Sequence, residues 1–315
     1  MLAFGSWGTV WWKPVLFVMV AGHLTNICVT LFLHRAQTHR GVQFHGLVEM
    51  PMRVWLWLTT AIKTKEWVAC HRKHHAYADR EGDPHSPVVD GLRNILFKGA
   101  FYYRSAVRQP GMLDKYGKGT PDDWMERNVY TRHTVLGLVI MGLINISLFG
   151  IIPGLTILVV QIAWIPFWAA GVINGVGHWG GYRNWQTTDA STNIFPWGIL
   201  IGGEELHNNH HTYPNSAKLS VKKWEFDMGW DWIKLFSFFG LAQVQRVAPI
   251  AHRVEGKRNL DMDTAMAILN NRFQIMAQYR KLVIVPLVKQ EMAKADESVR
   301  HLFRRAKRLL SREPS

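Results

Sequence analysis

The chemistry this sequence could carry is concentrated in clustered histidines. His34 and His39 stand in HRAQTHR, His71, His74 and His75 in HRKHH, and His207, His210 and His211 in HNNHH. His178 closes NGVGH, four residues after Asn174. On a helix, positions i, i+3 and i+4 share a face, so each H-x-x-H-H aims three imidazoles at one region. Asn174 and His178 share a face in the same way. Positions i and i+5 lie about 140° apart at 3.6 residues per turn. His34 and His39 are therefore expected to diverge, which suits reaching two metals rather than chelating one. One ion takes roughly four to six such ligands, so these nine imidazoles are too many for one metal and about right for two. Imidazole suits Fe, Zn, Cu and Ni alike, so the ligand type says transition metal without choosing one. The bland alternative is a set of polar interfacial residues or a nucleotide-binding surface. Two H-x-x-H-H triplets and an H-x4-H, all at membrane-proximal positions, favour the metal site.

A metal-bound imidazole is oriented by a carboxylate or carbonyl that accepts its other ring N–H. Asp79, Asp83, Asp189 and Glu204 lie close to the clusters in sequence and are the expected acceptors. His85, in DPHSP, is expected in the same outer layer rather than as a ligand. His23 reads as a polar group inside the first apolar run, and His45, His133, His252 and His301 read as solvent-exposed. Cys70, beside His71, reads as a small packing residue.

The elements that must hold these groups follow from the apolar runs. Fifteen Trp and fifteen Phe are many for 315 residues, and the apolar residues come in long stretches alternating with very polar ones. A membrane-spanning helix needs about 20 apolar residues. Such spans are expected over 11–33, 134–152 and 155–178. Pro153 and Gly154 are expected to form the tight turn between the last two. The segment 47–62 is shorter and carries Glu49, Pro51 and Arg53, so it reads as interfacial or re-entrant. Apart from Lys13, every Lys and Arg falls in 34–133 or 179–315. That asymmetry places both segments, with the histidine clusters, on the cytoplasmic side; a single first span would put the N-terminus outside, and a shallow N-terminal dip is the alternative. The architecture expected is all-α: a polytopic membrane domain over 1–260 with a cytoplasmic helical cap holding the metals. A basic helical tail follows over 261–315, interrupted near Pro286, suited to lie on a membrane surface or pack on itself, or else to dock an acidic electron donor. No basic leader with a cleavage site is apparent at the N-terminus.

The net charge of +14 is what a membrane protein with basic cytoplasmic segments carries; nothing supports nucleic-acid binding. Two cysteines, Cys28 and Cys70, exclude a disulfide framework, a cysteine zinc site and an iron–sulfur cluster.

The order H-x4-H, H-x-x-H-H, N-x-x-x-H, H-x-x-H-H resembles the membrane-bound acyl desaturases of the stearoyl type. THR, KEW, DPHSP and GEELHNNHH support this, and the likeness covers roughly residues 8–245. It implies a bacterial delta-9-type enzyme of the inner membrane, with two iron ions held by His34, His39, His71, His74, His75, His178, His207, His210 and His211. Asn174 would hold a metal-bound water. The resemblance also implies O2 as co-substrate, an acyl-CoA or acyl-lipid substrate, and an external electron donor, ferredoxin-like with its reductase. Trp67 matches a tunnel tryptophan of that family; Trp164, Phe167 and Trp168 are further candidate tunnel linings. One departure concerns the carrier: where animal relatives have an Arg-Asp pair that helps hold coenzyme A, this chain has Ala69-Cys70. Lys63, Lys65, Arg72 and Lys73 could supply phosphate contacts instead. The competing readings are a histidine-box alkane or lipid hydroxylase and, in another class, a histidine-rich metal transporter, whose ligands should lie mid-membrane along a path.

Overall fold

An apolar run lacking charge forms helix wherever water cannot satisfy its backbone, and the longest such runs build the frame of this chain. A computed structural model describes residues 6–7, 10–249 and 260–294. In chain order it comprises α1 (Trp12–Thr38), β1 (Val42–Phe44), α2 (Gly46–Thr60), α3 (Thr64–Tyr77), α4 (Pro87–Asp90), α5 (Leu92–Val107), α6 (Met112–Tyr116) and α7 (Thr134–Phe149). Then come α8 (Ile151–Val176), β2 (Trp197–Gly198), α9 (His207–Thr212), β3 (Phe226–Asp227), α10 (Met228–Phe238), β4 (Ala242–Val244), α11 (Met262–Asn270), α12 (Arg272–Tyr279) and α13 (Val285–Lys294). Helices α1 and α8, of 27 and 26 residues, are long and apolar enough to cross a membrane; α7 is apolar but shorter, with 16 residues.

The all-helical expectation needs one qualification. Two small sheets pair extended connectors whose backbone groups would otherwise lack partners. β1 and β4 are antiparallel, with Val42 opposite Val244, and β2 and β3 are parallel, with Trp197 opposite Phe226. The turn between α7 and α8 also falls earlier than expected. It is made by Gly150 at φ +88°, a conformation that costs glycine little. Pro153 sits in the first turn of α8, where a missing N–H breaks no helical bond. In the tail the helix breaks at Asn271 rather than at Pro286, which the chain passes through a wider π-helical turn over Arg280–Ile284. The tail beyond residue 294, with its basic end and His301, lies outside the described residues, as does His252.

Small residues let the apolar helices approach closely. A side chain at Gly22 of α1 would strike the Trp164 ring of α8, whose Nε1 donates to Asn26 Oδ1 at 3.2 Å. A side chain at Gly137 of α7 would meet the Trp57 carbonyl of α2. α2 is tied to α1 as well, by Trp55 Nε1 donating to Thr25 Oγ1 at 3.0 Å. α5 lies against the last turns of α8, with Gly99 on Ala170 and Gly171 on the Leu96 carbonyl. The outward faces of α1, α7 and α8 carry exposed Val15, Leu16, Val139, Leu143, Ile152 and Val159.

At the other end of α1, Arg35 is 1% exposed yet fully engaged. Its guanidinium forms a two-armed pair with Asp227 at 2.8 and 3.1 Å and donates to the carbonyls of Ala217 and Gly202, both at 2.9 Å. Asp227 also accepts the backbone N–H groups of Leu219 and Trp230. One ion pair therefore joins α1 to the loops around α9 and to the start of α10. Asp227→Ala would leave the guanidinium buried and unpaired, at a cost of about 3–5 kcal/mol. The expected outcome is a clear fall in the thermal midpoint of the detergent-purified protein; an unchanged midpoint would refute this role.

Candidate metal centre

The last ten residues of α1, Val29–Thr38, are wound as a π-helix, with i→i+5 bonding. His39 N–H bonds the His34 carbonyl at 3.1 Å, which sets these two residues one turn apart on the same face. Their rings lie 4.8 Å apart. The expected divergence of His34 and His39 is thus overturned: it assumed 3.6 residues per turn, and the wider winding brings both to one place.

The nine histidines form two groups. His34, His39, His71, His75 and His210 make one; His74, His178, His207 and His211 make the other, with the ligand-capable atoms of each group within 4.8 Å of one another. Each H-x-x-H-H is split between them. In α3 the i and i+4 residues, His71 and His75, join the five-membered group while His74 joins the four. In α9 the i and i+4 residues, His207 and His211, join the four while His210 joins the five. The i+3 side chain leaves the same helix face at a different angle, so each triplet straddles both groups rather than serving one.

Within the groups the Nε2 atoms face each other. His34–His210, His210–His75 and His75–His71 are separated by 3.1, 2.8 and 3.1 Å. His178–His207, His178–His211 and His74–His211 are separated by 3.0, 3.3 and 3.3 Å. Nitrogens bound about 2.1 Å from a first-row ion and at right angles to each other sit about 3.0 Å apart. The donor set fits a metal in each group. Burial, reinforced by neighbouring imidazoles, holds His39, His71, His75, His207 and His210 well below the ordinary imidazole range. Burial likewise brings His211 to about 4 against the pull of Asp189. Neutral imidazole is the form that binds a metal. His39 Nε2 is moreover buried without any hydrogen-bond partner.

All four carboxylates singled out from sequence lie on the outer nitrogens. Asp83 is 3.0 Å from His74 Nδ1, Asp79 2.7 Å from His178 Nδ1, Asp189 3.2 Å from His211 Nδ1 and Glu204 2.8 Å from His34 Nδ1. Burial alone would raise these carboxyls, but the adjoining imidazoles hold all four below their ordinary values. Reciprocally, burial would depress His74, yet Asp83 keeps it above its usual value. The acceptors are themselves pinned: Asp79 takes Ala190 N–H and Ser86 Oγ–H, Asp83 takes the N–H groups of Asp79 and His85, and Glu204 takes the Thr30 hydroxyl. Asp79 adopts φ +59°, a strained position for a side chain other than glycine.

Residues that sequence reasoning passed over also build the site. Asn208 and Asn209, between the histidines of HNNHH, turn inward. Asn208 Oδ1 accepts from the backbones of Asn184 and Trp185, and Asn209 bonds Glu225 at 2.9 Å. An amide pair inside a histidine cluster was the available signal. His85 lies against His74, its ring 4.6 Å away, with Nδ1 3.9 Å from Cys70 Sγ.

A cavity of about 250 Å³ ends on His34 and His71. Its walls are Val29, Ile62, Trp67, Cys70 and His85, with Ile162, Ile165, Pro166, Ala169, Ile173 and Asn174 from α8. Trp67 stacks on His71, centroids 5.1 Å apart and planes at 10°. Trp164, Phe167 and Trp168 do not line it. The α8 wall follows the spacing 162, 165, 166, 169, 173, and these three aromatics lie on the neighbouring stripe, where Trp164 packs on Gly22 and Phe167 is exposed. Besides the histidines and Asn174, the polar residues at the wall are Thr60, Lys63, Glu66, Tyr103, Arg104 and Glu204.

Two helices long and apolar enough to cross a membrane pack with two buried histidine groups that could hold metal ions, and the comparisons with known proteins narrow the class. The fatty acid desaturase family profile matches residues 9–237, and the chain belongs to that family. It is 29% identical to a delta-9 desaturase-like 2 protein of Arabidopsis thaliana, over 73% of this chain and 76% of that one. It is 28% identical to an sn-1 stearoyl-lipid 9-desaturase of Synechocystis, covering 78% and 74%. An acyl-CoA 5-desaturase of Anemone leveillei is 29% identical, covering 79% and 75%. Membership makes the chain an oxidoreductase of lipid metabolism.

Loss of an outer carboxylate typically weakens a metal site about 10–100-fold. Asp83→Asn is therefore expected to lose affinity by that order in chelator competition on purified protein. His207→Ala is expected to lower bound metal from two ions per chain towards one, counted by elemental analysis. Two tightly held ions in His207→Ala would sink the division into two sites.

Proposed function

We propose that this chain is an O2-dependent desaturase that introduces a cis double bond into a long-chain acyl group, using two iron ions held by the two histidine groups. The carrying observation is the contact between an apolar cavity and two of the grouped histidines, His34 and His71. Iron in these groups would supply the oxygen activation that an unactivated methylene demands. Overall, O2, two electrons and two protons, with two hydrogens from adjacent methylenes, yield the alkene and two waters.

The chain's own residues do the rest. The cavity walls exclude water and hold the acyl chain against the five-histidine group. Asp79, Asp83, Asp189 and Glu204 keep the proton of each partner imidazole on Nδ1, so that Nε2 presents its lone pair. Asn174, buried at the end of α8 on the cavity wall, would hold a water beside the four-histidine group. Trp67 keeps His71 from swinging into the cavity by stacking on it. Lys63 and Arg104 offer charge to the phosphates of a carrier, which we read as coenzyme A. The delta-9 position draws support from the names of the relatives.

In this reading residues 1–260 form the membrane domain, with α1, α7 and α8 crossing the bacterial inner membrane and α2 lying in the interface. Both histidine-bearing segments form a cytoplasmic cap, as the distribution of Lys and Arg favours, and the tail from 261 lies along the membrane surface.

The test is the fatty-acid profile of desaturase-deficient cells expressing the chain, by gas chromatography–mass spectrometry, with and without iron. A new iron-dependent monounsaturated acid is expected, and His71→Ala and His207→Ala should abolish it while still inserting. A hydroxylated product in place of the alkene would overturn desaturation, and full unsaturation in either mutant would overturn the ligand set.

A further inference from the structure

The five-histidine group is reached from two directions. The apolar cavity arrives at His34 and His71, while a second opening, a solvent-facing cleft of about 440 Å³, arrives at His39. Besides Thr38, His39 and Asn215, its walls are four cations: Arg40, Arg72, Lys118 and Arg246. No carboxylate lines it, and among the described residues none of the four forms an ion pair with an acid. Arg72 is held by the carbonyls of Gln37, Thr38, Tyr116 and Lys118 at 2.7–3.1 Å, which fix the guanidinium without neutralising it. Asn215, with its amide turned to suit both neighbours, donates to the His39 carbonyl and accepts from Arg246 Nη1, each at 3.2 Å. Arg40 is held at φ +52°, in the left-handed region that side chains avoid.

Gathering like charges in one cleft is unfavourable. An anionic partner relieves that repulsion. The exposed cations stand on three separate segments, after α1, after α6 and after β4, around an open cleft rather than a closed cradle for a single phosphate. Reducing equivalents must also enter from outside, since Cys28 and Cys70 are buried and no haem or iron–sulfur motif occurs in the chain. His39 both lines the cleft and belongs to the histidine group, so its imidazole joins the surface to the centre.

Resting on the desaturase reading above, we propose that this cleft docks an acidic one-electron donor protein, whose electrons enter through His39. Two reduced donors, each losing one electron, supply the two electrons that reduction of O2 to water requires beyond those taken from the acyl chain. The site of donor docking is thereby assigned to the cleft rather than to the basic tail.

The experiment uses the iron-loaded full chain in nanodiscs of neutral lipid, with reduced plant-type [2Fe–2S] ferredoxin as the acidic probe. Direct binding and the donor's KM are both measured. Lys118→Glu and Arg246→Glu are each expected to raise Kd and KM about tenfold and to flatten the fall of affinity with ionic strength. Iron content, thermal midpoint and kcat at saturating donor should not change. Lys289→Glu on the tail should change nothing. Unaltered donor affinity in the cleft variants, or no saturable binding by the wild type, would overturn the proposal. So would weakened binding of adenosine 3′,5′-bisphosphate with donor binding intact, which would make the cleft a carrier-phosphate site. A dithionite-reduced mediator separates the two readings. Alkene formed with the mediator while cleft variants bind donor normally refutes docking alone; no alkene from the wild type with any reductant refutes the desaturase.

Discussion

Nine buried imidazoles crowd their ring nitrogens together, an arrangement favoured by a hydrogen shared between neighbours or by something positive among them. In water each Nε2 would have its own hydrogen-bond partner; here most have only another imidazole at about 3 Å. Protonation is no escape, because adjacent imidazolium ions would repel in a desolvated site. A metal in each group would resolve the conflict, and much of the surrounding structure holds the imidazoles in place. The outer carboxylates set the tautomer, and backbone N–H groups and hydroxyls hold the carboxylates. Arg35, satisfied by Asp227 and two carbonyls, locks the end of α1 to the loops that bring up α9.

The winding of α1 and α8 belongs to the same constraint. Both end in π-helical segments, Val29–Thr38 and Pro166–Val176. In α1 the wider turn brings His34 and His39 together. In α8 it carries Asn174 to the cavity wall and leads directly to His178. Departures from α-helical geometry of this kind carry an energetic cost and persist where neighbours compensate. Here the packing of α5 on α8, through Gly99, Ala170 and Gly171, buries the irregular segment.

The centre has two faces of opposite character. One is largely apolar and lined mainly by α1, α3, α5 and α8, the other cationic and open to solvent. α3 supplies residues to both, with Trp67 and His71 on the apolar side and Arg72 on the cationic side. A single helix thereby separates an apolar opening from a cationic one, with the five-histidine group between them.

Much of this was legible in the sequence, because some of the physics is local. Apolar runs of membrane length imply helices whatever they pack against, and the three apolar runs do become α1, α7 and α8. Histidine spacing marked all nine grouped residues, and short separation from the clusters marked the four carboxylates that lie on their outer nitrogens. What sequence periodicity misjudged was local geometry under tertiary load. An i, i+5 pair diverges on an α-helix, and only the π-helical winding makes His34 and His39 converge. The hairpin turn went to Gly150 because a positive φ was needed there, whereas Pro153 fits a first helical turn. Residue type alone chose Trp164, Phe167 and Trp168 as cavity walls, but which stripe of α8 faces the cavity depends on how α1 and α5 pack against it. The division of each H-x-x-H-H between two groups was likewise decided only in three dimensions. Spacing within one helix says which side chains share a face; where that face meets the other helices says which neighbours they share.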